Sequence, residues 1–305
     1  MNNIDSDSGR PFDASPINPV AVPKEVSAKS SALRVRLAKI LAASGVKTAG
    51  ESGAPSHFTF GIDRIDAALR GNASADGLPR GALHELHAAE KADATSAAAM
   101  ALLLAERCRD DSKPVLWITQ SGEARRQGKL YPPGLAELGI DPASIIHVAA
   151  PDSIAALRAA ADGVRSSAMG AVIVELAGKK PKGLDLTATR RLSLSAQKSG
   201  VPTLLLRSGS DPDNPLPTSA FSRWQVSAAP SIPLEANASG HPAFDITLLR
   251  HRSGLYGLSA RLEWNREHRI FGDIGHEQQS EDTPDLGIIP PPSAMRAVDQ
   301  GTRAA

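Results

Sequence analysis

The sequence has 305 residues, with 34 Lys and Arg against 33 Asp and Glu, a net charge of +1. A chain of this length can bury one good-sized core, and so balanced a charge excludes a whole-molecule attraction to nucleic acid. The lone cysteine, Cys108, excludes a disulfide framework, and no apolar run reaches the ~18 residues of a membrane span.

Residues 1–30 are rich in Ser, Asp, Asn and Pro, and their composition predicts disorder. The first twenty residues lack the apolar core of a signal peptide, so a cytoplasmic protein is expected. Residues 31–56 read as a helix and a linker. From Ser31 to Ala43, Leu33, Leu37, Ile40 and Leu41 recur at helical spacing, with Arg34, Arg36 and Lys39 between them. Such a helix packs on its own domain or docks in a partner's groove. One domain is expected over 57–271. From 272 onward the chain is rich in Gln, Glu, Asp and Pro and is expected to be disordered. Ile288 and Ile289 there are enough for a short linear binding motif.

Within the domain, Ile62–Leu69 predicts a short helix. Residues 77–104 then read as turn, strand, loop and helix. Gly77, Pro79 and Gly81 mark the turn. Ala82–His87 is the strand, and Ala97–Arg107 is a strong helix former with Thr95 or Ser96 as its cap. Between them lies the loop Ala88, Ala89, Glu90, Lys91, Ala92, Asp93, Ala94, Thr95. Its length is that of a phosphate-binding loop, and it ends on the Thr that would hold magnesium. It has none of the glycines that let backbone N–H groups wrap phosphate. Ala94 stands where the Lys belongs, and Asp93 repels phosphate. No catalytic residue and no bound cofactor are therefore expected. The rival reading is an ATP-binding protein or weak ATPase in which Lys91 reaches back to the phosphates.

His84, Glu85 and His87 invite a metal reading. Zinc requires three or four ligands at workable spacing, and His84 and Glu85 on a strand point to opposite faces, so no metal is expected. Val115–Thr119 is a buried strand, followed by a helix at 134–138, a strand at 145–148 and a helix from Asp152 to Ser166. Ala171–Leu176 is a continuous apolar strand ending near Glu175. That is the shape of a Walker B segment, whose acid helps hold magnesium. A buried strand with an acid at its mouth needs no metal, and that reading is preferred. Lys179, Lys180 and Lys182, with Arg190 and Arg191 on the next helix, form the best local basic patch. No aromatic residues interleave it, so any DNA contact is weak or indirect. Strands follow at 201–207, 220–228, 245–250 and 257–265, with Arg250 and Arg252 on an edge facing solvent or a partner. Strands alternate with helices from 82 to 207. The fold class is therefore α/β, a mainly parallel sheet flanked by helices, with an antiparallel extension at the C-terminal edge.

The segments FGIDRIDAAL (60–69), GLPRGALHEL (77–86), LAELGIDPASIIHVAAPDSIAALRAA (135–160) and AVIVELAG (171–178) come in the order of the RecA ATPase core. With the degenerate loop and the phrase PVLWITQ (114–120), the chain resembles the RecA-like inducible mutagenesis protein A (ImuA) family over roughly residues 58–271. The resemblance implies a RecA-like core. It also implies that Gln120 or Ser121 stands where RecA-like ATPases carry the Glu that activates water; neither can act as a general base. It implies an accessory role in the SOS response and in mutagenic translesion synthesis. The implied partners are a Y-family polymerase homologue (ImuB-like) and an error-prone DNA polymerase III alpha subunit, with RecA as a further candidate. An SOS cell-division inhibitor is the more distant RecA-like alternative.

Overall fold

The computed structural model describes residues 56–70, 75–110, 112–122, 128, 130–211 and 215–275. The expectations for residues 1–55, including the helix with Leu33, Leu37, Ile40 and Leu41, and for the tail beyond 275 lie outside the described residues.

A short ladder pairs β1 (His57–Phe58) with β2 (Leu78–Pro79) around helix α1 (Asp63–Arg70). Asp66 fixes this corner, because its carboxylate accepts the N–H groups of Phe60, Gly61 and Ile62 at 2.8, 2.9 and 3.0 Å. Gly77 is needed for the close approach of the two strands. It has φ +82°, and a Cβ there would lie 2.2 Å from the Phe58 carbonyl oxygen.

The chain then alternates β3 (Leu83–Ala88), α2 (Ala94–Cys108), β4 (Val115–Gln120), α3 (Pro132–Glu137), β5 (Ile145–Ala150) and α4 (Ser153–Arg165). It continues through β6 (Ala171–Ala177), α5 (Leu186–Ser199), β7 (Thr203–Ser208) and β8 (Ser222–Ala228). It ends in β9 (Ala243–His251), β10 (Ser259–Asn265) and β11 (Ile270–Asp273). Nine strands form one sheet in the order β11-β10-β9-β8-β3-β7-β6-β4-β5. From β8 to β5 the neighbours are parallel; β8 to β11 pair antiparallel. The sheet is the one expected, parallel at its centre and extended antiparallel at one side. β6 and β7 are buried along nearly their whole length because helices cover both faces. One core joins α2 to Leu86, Trp117, Ile173 and Leu206. The other lies beneath α4 and α5 on Leu83, Ile118, Val174 and Leu205. β3 sits in the middle, so its C-terminal end is flanked by both cores.

Two expectations are corrected. The helix begins at Ala94 after a 3-10 turn over Lys91–Asp93, with Asp93 at its N-cap position. Thr95 and Ser96 lie inside its first turn and cap nothing. A further strand, β11, pairs with β10 and takes the edge. Arg250 is not on an edge either, because β9 pairs with β8 on one side and β10 on the other. Four residues with a glycine, IFGD, are too short to read as a strand. Their tertiary anchor is Phe271, buried against Trp264 and Phe60.

Candidate functional site

The degenerate loop closes on itself. Glu90 N–H donates to Asp93 Oδ2 at 3.1 Å, and Asp93 N–H donates back to the Glu90 carbonyl at 3.1 Å. Ala94 N–H donates to the Lys91 carbonyl. Ala89 N–H donates to the Val226 carbonyl of β8 at 2.8 Å. The second oxygen of Asp93 accepts Ala228 N–H at 2.9 Å. A phosphate cradle needs successive backbone N–H groups turned toward one point and free to donate. Here the carboxylate of Asp93 takes two N–H groups for itself and ties the loop to the end of β8. Lys91 and Ala92 are exposed on the turn, and Ala94 is buried at the start of α2.

The positions around a magnesium ion in a working site have other partners. Gln120 Oε1 accepts the Ala177 N–H at 2.9 Å, which joins β4 to β6 beyond the last backbone pair. Ser121 Oγ donates to the Ala150 carbonyl at 3.0 Å and does the same for β5. Glu175 is buried, and its Oε1 accepts from Ser208 Oγ at 3.3 Å. Among the described residues, no three His, Cys, Asp or Glu side chains gather as a metal site.

A cleft of about 210 Å³ opens beside Thr95 and Glu175. Ala98, Ala99 and Leu102 of α2 form one wall, Leu135 and Leu138 another, and Trp117, Thr119 and His147 the floor. No lysine or arginine among the described residues lines it. Thr119 Oγ1 and His147 Nε2 are 2.9 Å apart, and partial burial lowers the His147 pKa. Trp117 is 4% exposed, and its indole nitrogen has no hydrogen-bond partner among the described residues.

On the opposite face of β3 lies a charged cluster that the sequence reading missed. Glu85 is fully buried. Thr218 Oγ1 donates to its Oε2 at 2.6 Å and Arg223 Nε does so at 3.1 Å. Arg207 Nη1 lies 3.6 Å from Oε1. His87 Nε2 is 3.1 Å from the same oxygen, in ion-pair range but without hydrogen-bond alignment. Burial alone would raise the Glu85 carboxyl. His87, Arg223 and Thr218 outweigh it and bring the carboxyl down to about 2. The cluster reaches into two loops. Arg207 Nη2 donates to the carbonyls of Gly178 and Lys179, both at 3.2 Å. Arg223 Nη2 donates to the Leu216 carbonyl at 3.0 Å, and His87 Nδ1 is 2.7 Å from Ser210 Oγ. The sequence signal was an ionisable residue inside each of three strands: Glu85 in β3, Arg207 in β7 and Arg223 in β8. Pairing them required knowing that β7 and β8 flank β3.

His84 faces the other way, as strand alternation predicts. It sits between Ser222 Oγ and the Pro79 carbonyl at 2.8 and 2.9 Å. Lys179, Lys180, Lys182, Arg190 and Arg191 are all exposed. Lys179 Nζ is 3.7 Å from the Asp211 carboxylate. Arg250 is exposed and donates to the Ala220 carbonyl at 3.2 Å. Arg252 lies over the Phe221 ring, 5.2 Å from its centroid. No helix among the described residues is long and apolar enough to cross a membrane.

No family model matches this sequence. The crystal structure of the RadB recombinase is similar at a TM-score of 0.47 and 16% identity, covering 71% of this chain and 99% of that one. Protein ImuA of Caulobacter vibrioides strain NA1000 / CB15N is 32% identical over 210 residues, 65% of this chain and 80% of the relative. The protein of the same name from strain ATCC 19089 / CIP 103742 / CB 15 matches to the same extent. With that identity over four-fifths of the relative's length, the chain belongs to the ImuA family.

Proposed function

We propose that this chain is a non-catalytic, RecA-like accessory factor of inducible mutagenesis that works in error-prone translesion synthesis through protein contacts. The observation that carries the reading is the closed loop, in which Asp93 takes the backbone N–H groups of Glu90 and Ala228. Membership of the ImuA family supports the same assignment. The partners in this reading are a Y-family polymerase homologue and an error-prone polymerase III alpha subunit. The surfaces offered to them are the exposed basic stretch from Lys179 to Arg191, the open edge of β5 and the segment from Ser31 to Ala43. β5 ends the sheet with the sequence IIHVAA, which has no Lys or Pro to discourage pairing.

Purified protein is expected to release no phosphate from ATP, with or without single-stranded DNA. Turnover that disappears in Lys91→Ala would overturn the non-catalytic assignment. In a strain lacking the gene, mutation frequency after ultraviolet exposure is expected to be restored by wild type and by Lys91→Ala. Leu37→Asp is expected to restore less, with protein levels matched by immunoblot. Full restoration by Leu37→Asp removes the Ser31–Ala43 segment as a contact. A gene deletion that leaves ultraviolet mutagenesis unchanged overturns the accessory role.

A further inference from the structure

We propose that the groove between α4 and α5 is the docking site of this chain's own acidic C-terminal segment, residues 277–289, seated through Leu286 and Ile288. The groove itself is apolar. Ile154, Leu157 and Ala161 of α4 face Ala188 and Leu192 of α5 across a space of about 190 Å³. That exceeds a cavity of about 150 Å³ that holds benzene, so a branched aliphatic side chain fits. Leu194, one turn beyond Arg191 and 55% exposed, extends the apolar strip along α5. Charge is the second observation. Arg158 on α4 and Arg191 on α5 also line the groove, and neither has a hydrogen bond or ion pair among the described residues. The acids nearby are engaged. Asp152 and Asp185 accept the N–H groups of Ala155 and Ala188 at 2.8 and 2.7 Å, and Asp162 pairs with Arg165. Such a groove suits a segment that brings leucine or isoleucine together with carboxylates. No aromatic side chain lines it, so it offers nothing for bases to stack on. The third observation is the sequence beyond the last described residue. Residues 277–289 carry Glu277, Glu281, Asp282 and Asp285, no Lys or Arg, and then Leu286, Ile288 and Ile289. In an extended chain Leu286 and Ile288 fall on one side. Residues 1–55 have the opposite balance, seven Lys and Arg against five Asp and Glu. The reach is sufficient. Gly275 follows β11 at the edge of the sheet, and the groove lies over β6 and β7. The five to six strand spacings between them amount to roughly 24–29 Å. Ile288 is thirteen residues beyond Gly275 and can lie up to about 43 Å away. Tethering also gives the segment an effective concentration of about millimolar, which an untethered acidic peptide lacks. Arg191 belongs to the basic stretch offered to partners above, so the docked segment covers part of that surface.

The test uses the full-length chain and traps the contact as a disulfide, with oxidised glutathione as the oxidant. Cys108 does not interfere, since it is buried and its thiol is pushed up to about 12. Gly287→Cys is combined with Ala188→Cys in the groove, or with Gln197→Cys, exposed on α5 outside it. Each rate is normalised to the reaction of the same α5 thiol with a free disulfide reagent. The expected result is an intrachain disulfide that forms about tenfold faster with Ala188→Cys than with Gln197→Cys. Arg158→Glu with Arg191→Glu is expected to slow the groove disulfide by about tenfold, and Glu281→Lys, Asp282→Lys and Asp285→Lys together to restore it. If circular dichroism shows that Ala188→Cys unfolds the protein, Ala161→Cys takes its place. Equal rates at the two positions overturn the docking. So does a groove rate that the arginine reversal leaves unchanged or that the tail lysines fail to restore. Disulfides that join two chains give the groove to a second copy and overturn the intrachain occupant. Equal rates together with binding of single-stranded DNA that Arg158→Glu with Arg191→Glu abolishes give it to nucleic acid instead. The readout needs no partner and no mutagenesis assay, so failure of the docking leaves the accessory role standing, and loss of that role leaves a trapped disulfide standing.

Discussion

The two ends of polarity around β3 have opposite fates. At the tip of the strand, the loop that would face phosphate is closed by one carboxylate, that of Asp93, and by backbone groups bonded to one another. On the face of β3 turned toward α4 and α5, Glu85, Arg207 and Arg223 form a buried cluster with bonds to Gly178, Lys179 and Leu216. Buried charge is costly to keep, and it persists where partners are exact in placement. The chain therefore retains electrostatic order beneath its surface loops and lacks it in the loop that would do chemistry. For a protein that works by contact, the loops are what must be held in shape.

Removal of the central anion is the strongest way to break this contrast. Glu85→Ala leaves two guanidinium groups buried without their shared carboxylate and is expected to cost about 3–5 kcal/mol of folding stability. Urea unfolding measures it; a loss below about 1 kcal/mol would mean the cluster organises nothing. The acid limb comes next. Burial pushes His84 down to about 4, despite the Pro79 carbonyl that favours its charged form. The unfolded histidine takes its proton near 6.5. Stability from the neutral imidazole is thus complete above pH 6.5 and is lost as pH falls toward 4, by about 2–4 kcal/mol. The Glu85 carboxylate adds a further loss in the same direction, from about pH 4.5 down toward 2. Equilibrium unfolding from pH 8 to 4 should show the first limb in wild type and a flattened one in His84→Asn. An equal slope in both would place the acid sensitivity elsewhere.

Asp93→Ala tests the closed loop from its own side. It deletes one acceptor for each of two N–H groups, and the expected cost is about 1–2 kcal/mol. Hydrogen exchange should quicken at Glu90 and Ala228 and stay unchanged at Leu86 and Trp224. Unaltered exchange at both loop positions would show that the carboxylate does not hold the loop.

The sequence made much of the architecture legible, and the reasons are physical. β6 and β7 read as strands because AVIVELA and TLLLRS are apolar without alternation, the mark of burial on two faces. α2 read as a helix from its Ala and Leu content. β11 did not, since IFGD has too few residues to show a period, and its anchors are Phe271 against Trp264 on the paired strand and against the distant Phe60. In the loop, the absence of glycine and lysine was visible. The use made of the remaining backbone N–H groups was not, because Val226 and Ala228 are more than a hundred residues away. The Glu85 cluster was hidden for the same reason: Arg207 and Arg223 lie 122 and 138 residues from Glu85, and strand order alone brings them together.

The smallest expected effect belongs to the substitution that looks most like a repair. Ala94→Lys returns the missing cation to the loop, and it is expected to leave ATP binding undetectable by calorimetry. A lysine contributes one point charge to the terminal phosphates, while the cradle itself is made of backbone donors. Ala89, Glu90, Asp93 and Ala94 already spend their N–H groups on Val226, Asp93, Glu90 and Lys91. The Asp93 carboxylate would also face the incoming phosphate. Ala94 is buried at the start of α2, so the new side chain must turn outward to be charged at all. Binding of ATP by the single variant tighter than ~1 mM would show that charge alone separates this loop from a working one. If the single variant stays silent and Asp93→Gly with Ala94→Lys binds, the barrier is the closure that Asp93 makes. The contrast between the two sides of β3 would then come down to one carboxylate that bonds to its own backbone and another that bonds to two arginines.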